Sequence, residues 1–237
     1  MKVAGAILAR LDEILKREIK VGVTTKELDA IAEDYIRSQG AIPSFKGYGG
    51  FPGSVCTSVN DEIVHGIPSD RKLKQGDIIS IDMGSYIGGF HGDAARTYAV
   101  GEIAPEAQKL IDVTKQSFFE GIQYAKQGCR LNEIGTAIQK YVEKNGFSVV
   151  RDYVGHGIGR KLHEDPSVAN YKEQRKGVTL KQGMVLAIEP MVNMGSYQLK
   201  VLKDGWTAVT KDGLYAAHYE NTVVITNGEP EILTLLP

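Results

Sequence analysis

Two aspartates lie eleven residues apart in a glycine-rich stretch of the chain. Asp82 follows a short apolar run, Asp93 ends the motif Phe90–Asp93, and Gly88-Gly89 lie between the two acids. If this stretch is a β-hairpin, its strands bring the two carboxylates close together. Neighbouring carboxylates raise each other's pKa unless a cation neutralises them. The pair therefore predicts a metal site, and two solvated turn acids are the alternative interpretation.

A second glycine-rich segment, Gly155–Pro166, contains two histidines. His156 is flanked by glycines, and His163 follows seven residues later. The small neighbours of His156 leave room for a ligand to approach its imidazole. The segment lacks the Lys-Ser/Thr ending of a phosphate-binding loop. It therefore favours a metal or substrate role for the histidines, with a turn that carries incidental histidines as the alternative.

An internal repeat supplies further acids. The segment Leu73–Asp82 recurs as Leu180–Glu189, and in each copy a glycine turn precedes an apolar run and then a carboxylate. A duplicated strand would deliver an acid from the same end in each half of the molecule. Asp93 is echoed more loosely by Glu220. The repeat predicts two similar halves, about residues 1–104 and 105–237, with a shared site between them.

These residues form one candidate metal set with an overall charge of about −4 at neutral pH, which two divalent ions would neutralise. Oxygen ligands with a single imidazole suit Mn, Fe, Co or Zn, and they differ from a structural thiolate zinc site. Two ions roughly 3.5–4 Å apart would hold and activate a water for hydrolysis. The set consists of Asp82, Asp93, His156, Glu189 and Glu220.

Periodicity and turn residues predict how this set is positioned. Apolar spacing predicts helices over 3–19, from Thr24 to about Gln39, from Pro105 to Gly128, and over 131–146. We expect one compact α+β domain, residues 1–237, in which helices cover one curved sheet. Strands are predicted near 54–59, 77–83, 89–90, 94–100, 148–154, 184–189, 206–210 and 215–226.

Composition limits the classes of function. The 237 residues carry a net charge of −1 without a basic block, so a nucleic-acid partner is not expected. Only Cys56 and Cys129 are present, which fits a reducing compartment. No apolar run approaches the roughly 20 residues of a membrane span. We therefore expect a cytoplasmic protein without membrane contacts.

The motifs also resemble those of a known family. Over nearly its whole length the chain is similar to the type I methionine aminopeptidases. The resemblance implies the pseudo-twofold α+β architecture called the pita-bread fold, with a curved, mainly antiparallel sheet. The motifs that carry it, in the family's order and spacing, are Asn60 to Pro68, Ile81-Asp82, Phe90 to Asp93, Gly155 to Pro166, Ile188 to Asn193, and Tyr219-Glu220.

The resemblance implies a role for each member of the metal set. Asp82 would bind one metal ion, His156 and Glu189 would bind the other, and Asp93 and Glu220 would bridge the two. Water activated by the metals would attack the first peptide carbonyl of the substrate, and Glu189 would transfer the proton.

The resemblance further implies two substrate-contacting histidines and a methionine pocket. His163 would stabilise the developing oxyanion, and His65 would contact the substrate amide. The expected substrate is the N-terminal methionine of nascent polypeptides, with the ribosome nearby and the enzyme a monomer. The pocket residues expected from family positions are Phe45, Tyr48, Phe51, Cys56, Leu162, Met191 and Trp206.

The chain departs from the family pattern at three positions. Leu162 stands where an aromatic residue is common, and His218 and Asn221 flank Glu220 where Gln and His are usual. If 215–226 is one strand, His218 and Glu220 point to the same face. His218 would then approach the metals or the substrate.

Other functions are open to a chain with these ligands. An X-Pro aminopeptidase or prolidase shares the five ligands, but such enzymes usually carry an additional amino-terminal domain. The type II methionine enzymes carry a helical insertion at the position between His163 and Glu189, and the short gap here argues against that type. A binding module without activity would lose ligands, and a structural Ca or Mg site does not require His65 and His163.

Overall fold

The computed structural model describes residues 1–236, which form four helices, fifteen strands and a 3₁₀ turn at Tyr48–Gly50. The helices are α1 (Lys2–Glu18), α2 (Thr25–Ser38), α3 (Pro105–Ile122) and α4 (Leu131–Lys144). The strands are β1 (Ile42–Pro43), β2 (Val55–Val59), β3 (Glu62–Val64), β4 (Ile78–Ile87), β5 (Phe90–Ala99), β6 (Ser148–Val149), β7 (Gly155–Gly157), β8 (Glu164–Val168), β9 (Val185–Ile188), β10 (Met191–Asn193), β11 (Leu199–Val201), β12 (Ala208–Thr210), β13 (Ala216–His218), β14 (Asn221–Val224) and β15 (Glu231–Ile232). Each half contributes two helices followed by strands.

The sequence repeat is also a repeat of hydrogen bonds. The amide of Gly22 donates to the carbonyl of Leu73 at 2.8 Å, and the amide of Gly128 donates to the carbonyl of Leu180 at 3.0 Å. In both halves, therefore, the segment that leads into the second helix pairs with the start of the repeated strand segment. The duplicated sequence places β4 and β9 in equivalent surroundings.

A tight hairpin carries the two aspartates of the first half. Its turn, Gly88-Gly89, has positive φ at both residues (60° and 85°), which glycine adopts without strain. Asp82 on β4 lies opposite Ala95, and Asp93 on β5 lies opposite Gly84. Positions two apart on a strand share a face, so the two carboxylates are diagonal neighbours on one face of the hairpin. The hairpin prediction is confirmed.

The strands pair in antiparallel ladders, as the predicted mainly antiparallel sheet requires, and these ladders fall into four groups. The strand orders are β1-β4-β2 with β5 beside β4, β13-β10-β6, β11-β12-β3, and β15-β14-β9-β7-β8. The first and last of these sheets meet through β5. There, Ala95 and Glu220 exchange backbone hydrogen bonds at 2.9 and 3.4 Å.

Threonine hydroxyls complete this junction on either side of the Ala95–Glu220 pair. The Thr222 hydroxyl accepts from the Asp93 amide at 2.9 Å and donates to the Asp93 carbonyl at 2.8 Å. The Thr97 hydroxyl bridges the amide and carbonyl of His218 in the same way, with both distances 2.9 Å. The predicted strand 215–226 is therefore split into β13 and β14, because the residues between them pair with β5 instead.

Three further boundaries differ from the sequence predictions. The helix predicted to reach Gly128 ends at Ile122, where tighter bonds to residues three positions back close the chain into turns. Only Ser148–Val149 of the predicted strand 148–154 pairs, with β10. The strand predicted near 206–210 begins at Ala208 as β12, which pairs with β11 in a hairpin and with β3 of the first half.

Each half has its own apolar core. Leu8, Leu28 and Ile81 lie in the core that α1 and α2 form over the β4 hairpin. Phe118 and Ile138 lie in the core that α3 and α4 form over the strands of the second half. Within residues 1–236, none of the helices has the length and apolar character needed to cross a membrane.

The buried Arg96 ties the two halves together beneath the junction. Its guanidinium donates to Asp12 on α1 at 3.2 Å and to the Asn221 side chain at 2.8 Å. It also donates to the backbone carbonyls of Glu220 and Thr234. An arginine with this many partners fixes the backbone position from which the Glu220 side chain projects.

Candidate metal centre and substrate cleft

The five residues of the candidate metal set line one cleft between the halves, with a cavity volume of about 160 Å³. β4 and β5 supply the two aspartates from the first half. The second half supplies one ligand from β7, one from the residue after β9 and one from the residue before β14. The residues brought together are Asp82, Asp93, His156, Glu189 and Glu220.

The imidazole of His156 faces the acids. Its Nε2 lies 3.6 Å from Glu189 Oε1 and 3.9 Å from Asp93 Oδ2. Ligand atoms of Asp93, His156 and Glu220 lie within 4.8 Å of one another. The Nδ1 of His156 is 2.8 Å from the carbonyl of Gly157, so Nδ1 carries the proton and donates it. The lone pair of Nε2 is therefore directed at the carboxylates, as metal binding requires.

Burial and mutual repulsion disfavour the ionised acids in this cleft. Burial raises the pKa of Asp82 to about 7. Burial also raises the pKa of Asp93, Glu189 and Glu220 well above the ordinary range, and the charges of neighbouring carboxylates raise it further. Burial lowers the pKa of His156 to about 4, with His163 as a second cause. The set therefore combines a neutral imidazole with acids that only a cation can stabilise as carboxylates.

Three oxygens of the set lack a hydrogen-bond partner among the described residues: Oδ1 of Asp82, Oδ1 of Asp93 and Oε1 of Glu220. Buried polar atoms are normally paired, so unpaired oxygens that line one cleft indicate a missing positive partner. Clustered carboxylate oxygens with one free imidazole lone pair fit a divalent cation. The residues present are therefore compatible with a metal centre.

Two more histidines line the same cleft. His163 lies beside His156, with 4.2 Å between the ring centroids, and its Nδ1 is 2.8 Å from the hydroxyl of Tyr48. His65 follows β3 and has φ of 60°. Burial lowers the pKa of both rings, that of His65 to about 4. Both imidazoles are therefore neutral hydrogen-bonding groups at neutral pH.

The other wall of the cleft is apolar. Phe51 and Trp206 form an edge-to-face pair with centroids 5.2 Å apart. Cys56 lies on β2 opposite Asp82, and burial raises the pKa of its thiol well above the ordinary value. Trp206 precedes β12, so the β11-β12 hairpin of the second half closes this wall. The apolar lining consists of Phe45, Tyr48, Phe51, Cys56, Leu162 and Trp206.

The prediction for Met191 requires correction. Met191 lies on β10 opposite His218, and its side chain is buried in a cluster with Ile63, Val64 and Val150. This cluster packs beneath β3 rather than in the wall of the cleft. We therefore assign Met191 to the core, because its side chain packs in this cluster and is not among the residues that line the cleft.

A sequence model of metallopeptidase family M24 matches residues 1–227. The chain belongs to metallopeptidase family M24. Among curated relatives of this M24 metallopeptidase, the methionine aminopeptidase of Clostridium perfringens is 58% identical over 236 residues. That alignment covers 100% of this chain and 95% of the relative.

Solved structures confirm the predicted fold class. The crystal structure of methionine aminopeptidase from Rickettsia prowazekii superimposes with a TM-score of 0.97 at 43% identity, covering 99% of this chain and 95% of that one. The prolidase from Pyrococcus furiosus has a TM-score of 0.79 at 24% identity and covers 100% of this chain and 63% of its own. The second similarity shows the shared fold alone.

His218, one of the departures from the family pattern, lies against the metal set of this M24 metallopeptidase. It is buried, and its Nε2 lies 3.7 Å from Glu189 Oε2 with no hydrogen-bond partner among residues 1–236. Burial lowers the pKa of His218 to about 3, with smaller contributions from His65 and Arg96. Although the predicted strand is split, His218 does approach the candidate ligands.

The other two departures have different surroundings. Leu162 lines the cleft. The Asn221 side chain accepts from Arg96 at 2.8 Å and from the Thr234 hydroxyl at 2.9 Å, so it belongs to the scaffold under the site. Leu162 can therefore affect the pocket directly, whereas Asn221 acts through the backbone next to Glu220.

Sequence reasoning missed two residues that position the site: Arg96 and Thr222. No motif marked Arg96, whose bonds join segments distant in sequence. Thr222 was visible only as part of the loose second repeat. Residues two or three positions after a candidate ligand include both of them.

Proposed function

We propose that this M24 metallopeptidase is a methionine aminopeptidase that removes the N-terminal methionine of polypeptides with the aid of two divalent metal ions. The observation that carries the proposal is the cleft itself. It combines buried, cation-requiring acids on one side with a small apolar wall on the other, and neutral histidines lie between them. The high identity to a curated methionine aminopeptidase supports the same substrate.

The proposed metal holders divide between the two halves. Asp82 would hold one ion, His156 and Glu189 the other, and Asp93 and Glu220 would be shared. This division is supported by the lone pair of His156, which faces Glu189, and by unpaired oxygens on the other three acids. The donor set suits Fe, Mn, Co or Zn. Such ions, when bound, would polarise the substrate carbonyl and lower the pKa of the attacking water.

Neutral histidines would then assist the reaction by hydrogen bonds. A Tyr48 hydroxyl that donates to Nδ1 of His163 would keep the proton of that ring on Nε2. His163 would donate this proton in a hydrogen bond to the oxygen that becomes negative in the transition state. Glu189 would take the proton released by the attacking water and deliver it to the leaving amine. His65 would bind the substrate amide.

The substrate side chain would occupy the apolar wall. Aromatic rings of Phe51 and Trp206 and the sulfur of Cys56 provide polarizable surface for a thioether. The cavity volume of about 160 Å³ restricts the pocket to one side chain. We further propose a cytoplasmic monomer with one catalytic domain, residues 1–237, that acts on nascent chains near the ribosome.

The function is tested by adding Mn, Co or Fe(II) to metal-free protein and measuring release of methionine from Met-Ala-Ser, with Ala-Pro peptides as the comparison. We expect methionine release that depends on metal and little cleavage of Ala-Pro. Release from Ala-Pro instead would favour a prolidase or X-Pro aminopeptidase. The proposal fails if no added metal produces methionine release.

His218→Gln, which introduces the residue usual in the family, is expected to retain metal binding and to change kcat or its pH dependence, because glutamine cannot reproduce the position of Nε2 beside Glu189. Metal titration of the metal-free variant and pH–rate profiles with Met-Ala-Ser measure the two effects separately. His218→Phe, which removes the polar atom altogether, is the matched control and should have the larger effect on kcat. Superimposable pH–rate profiles for the parent and His218→Gln would contradict this role.

A further inference from the structure

The histidines of the cleft are held in two different ways. Nδ1 of His156 is fixed by the Gly157 carbonyl, and Nδ1 of His163 is fixed by the Tyr48 hydroxyl. Neither ring nitrogen of His65 forms a hydrogen bond within residues 1–236. Its orientation must therefore come from packing, which leaves both nitrogens available to a substrate.

The backbone of His65 is fixed by a close approach to β2. The next residue, Gly66, accepts a hydrogen bond from the Thr57 amide at 2.8 Å. A Cβ at Gly66 would lie 2.2 Å from the Thr57 carbonyl oxygen, so only glycine fits there. His65 itself has φ of 60°, an uncommon conformation for a residue with a side chain. Such strain is typical of functional positions, where it aims a side chain.

Two aromatic rings contact the imidazole of His65. The ring of Tyr153 stands edge-to-face to it, with a centroid distance of 5.1 Å and an interplanar angle of 89°. Trp206 lies further away, at 6.4 Å and 84°. Edge-to-face geometry is the favoured arrangement of aromatic pairs and restricts rotation of both rings. Tyr153 is the nearer of the two, and it lies three residues before His156.

We propose that Tyr153 is a positioning residue that holds the His65 imidazole in its substrate-binding orientation through ring contact. The inference rests on the proposed function, because it assigns His65 to the substrate amide. Tyr153 belongs to the segment that leads into β7, so the same segment would place the metal-facing His156 and orient the substrate-facing His65. Placement of the substrate amide relative to the metal set would depend on this contact.

The contact involves the ring of Tyr153, and the hydroxyl is not required for it. Phenylalanine preserves the edge-to-face pair, whereas leucine fills similar space without a flat ring. Tyr153→Leu is expected to lower kcat/KM for Met-Ala-Ser by at least tenfold, since a misplaced contact group costs on the order of 10²-fold. Tyr153→Phe should stay within about threefold of the parent. Tyr197→Leu is the matched control, because the Tyr197 ring packs on Arg151 and should not affect kcat/KM.

A double-mutant cycle separates this role from general damage to the fold. In a His65→Ala background, Tyr153→Leu should cause no further loss of kcat/KM, because its effect is exerted through His65. Equal losses in both backgrounds would overturn the proposal. So would a Tyr153→Phe variant as impaired as Tyr153→Leu.

An NMR measurement, which does not depend on turnover, complements the kinetic tests. In long-range ¹H–¹⁵N spectra of the metal-free protein, Tyr153→Leu should shift the ring signals of His65 and leave those of His163 in place. Unchanged His65 signals would also overturn the proposal. Failure of the proposed function is distinguishable, because the parent protein itself would then release no methionine.

Discussion

Asp93→Asn is expected to abolish turnover and at the same time to stabilise the metal-free protein. Asp93 is buried, and the carboxylates of Glu220 and Asp82 raise its pKa well above the ordinary range. An amide removes this repulsion, which should raise stability by about 2 kcal/mol, or roughly 4–8 °C in Tm. Loss of a shared metal ligand should lower kcat/KM by about 10³-fold or more.

Metal analysis, peptide hydrolysis and thermal unfolding of metal-free protein measure the three effects of Asp93→Asn. Asp112→Asn, which removes one negative charge from the exposed face of α3, is the matched control. It should change neither activity nor bound metal. If Asp93→Asn kept both metal and activity, or if it destabilised the metal-free protein, Asp93 would not belong to a metal centre.

The stability of the metal-free protein is expected to fall as pH rises from about 7.5 to 8.5. The pKa values of Asp93, Glu189 and Glu220 lie well above the ordinary range, so the folded state keeps protons that the unfolded chain has released. Each such proton costs about 1.4 kcal/mol of stability per pH unit. For a chain of this size, that cost corresponds to roughly 3–6 °C in Tm for each retained proton and pH unit.

The histidines change stability with pH in the opposite direction, and they do so at lower pH. The pKa of His65 and of His156 is lowered to about 4, and that of His218 to about 3. The unfolded chain therefore binds protons at these positions that the folded state does not, and stability rises with pH. That contribution is half lost at about pH 6.5, the pKa of an unfolded histidine, and ends near pH 7.5. Below about pH 7.5 the histidines and the carboxyl groups therefore have opposite effects on stability.

Thermal unfolding of metal-free protein in a pH series measures this dependence. Saturating Mn or Co should remove the decline, because metal binds the ionised carboxylates and its affinity rises with pH. Asp93→Asn should show a shallower decline than the parent, since one retained proton is lost. A Tm that is constant or rises between pH 7.5 and 8.5 without metal would contradict the raised carboxyl pKa values.

Local sequence was sufficient for features that depend on neighbouring residues. The Thr24–Glu27 capping box is present at the start of α2, with the Glu27 amide donating to the Thr24 hydroxyl at 3.1 Å. The Gly88-Gly89 turn forms the expected hairpin. Both are short-range arrangements in which the residue type alone selects the backbone conformation.

Features that depend on distant partners were not predictable from the sequence. The strand expected over 215–226 is broken because Glu220 pairs with Ala95. Met191 follows Glu189 closely in sequence but belongs to the core under β3. Periodicity describes one segment at a time and contains no information about which other segment competes for its hydrogen bonds.

The candidate ligands could be identified from residue type, spacing and repetition, because carboxylates and histidines in repeated glycine-rich contexts have few structural uses. Their arrangement was decided by the folded chain. Asp93 is held by Thr222, 129 positions away, and Arg96 holds Asn221 at a separation of 125. Burial between the halves, rather than sequence, shifts the pKa values of these acids, because desolvation and repulsion exist only once the two halves have closed on one cleft.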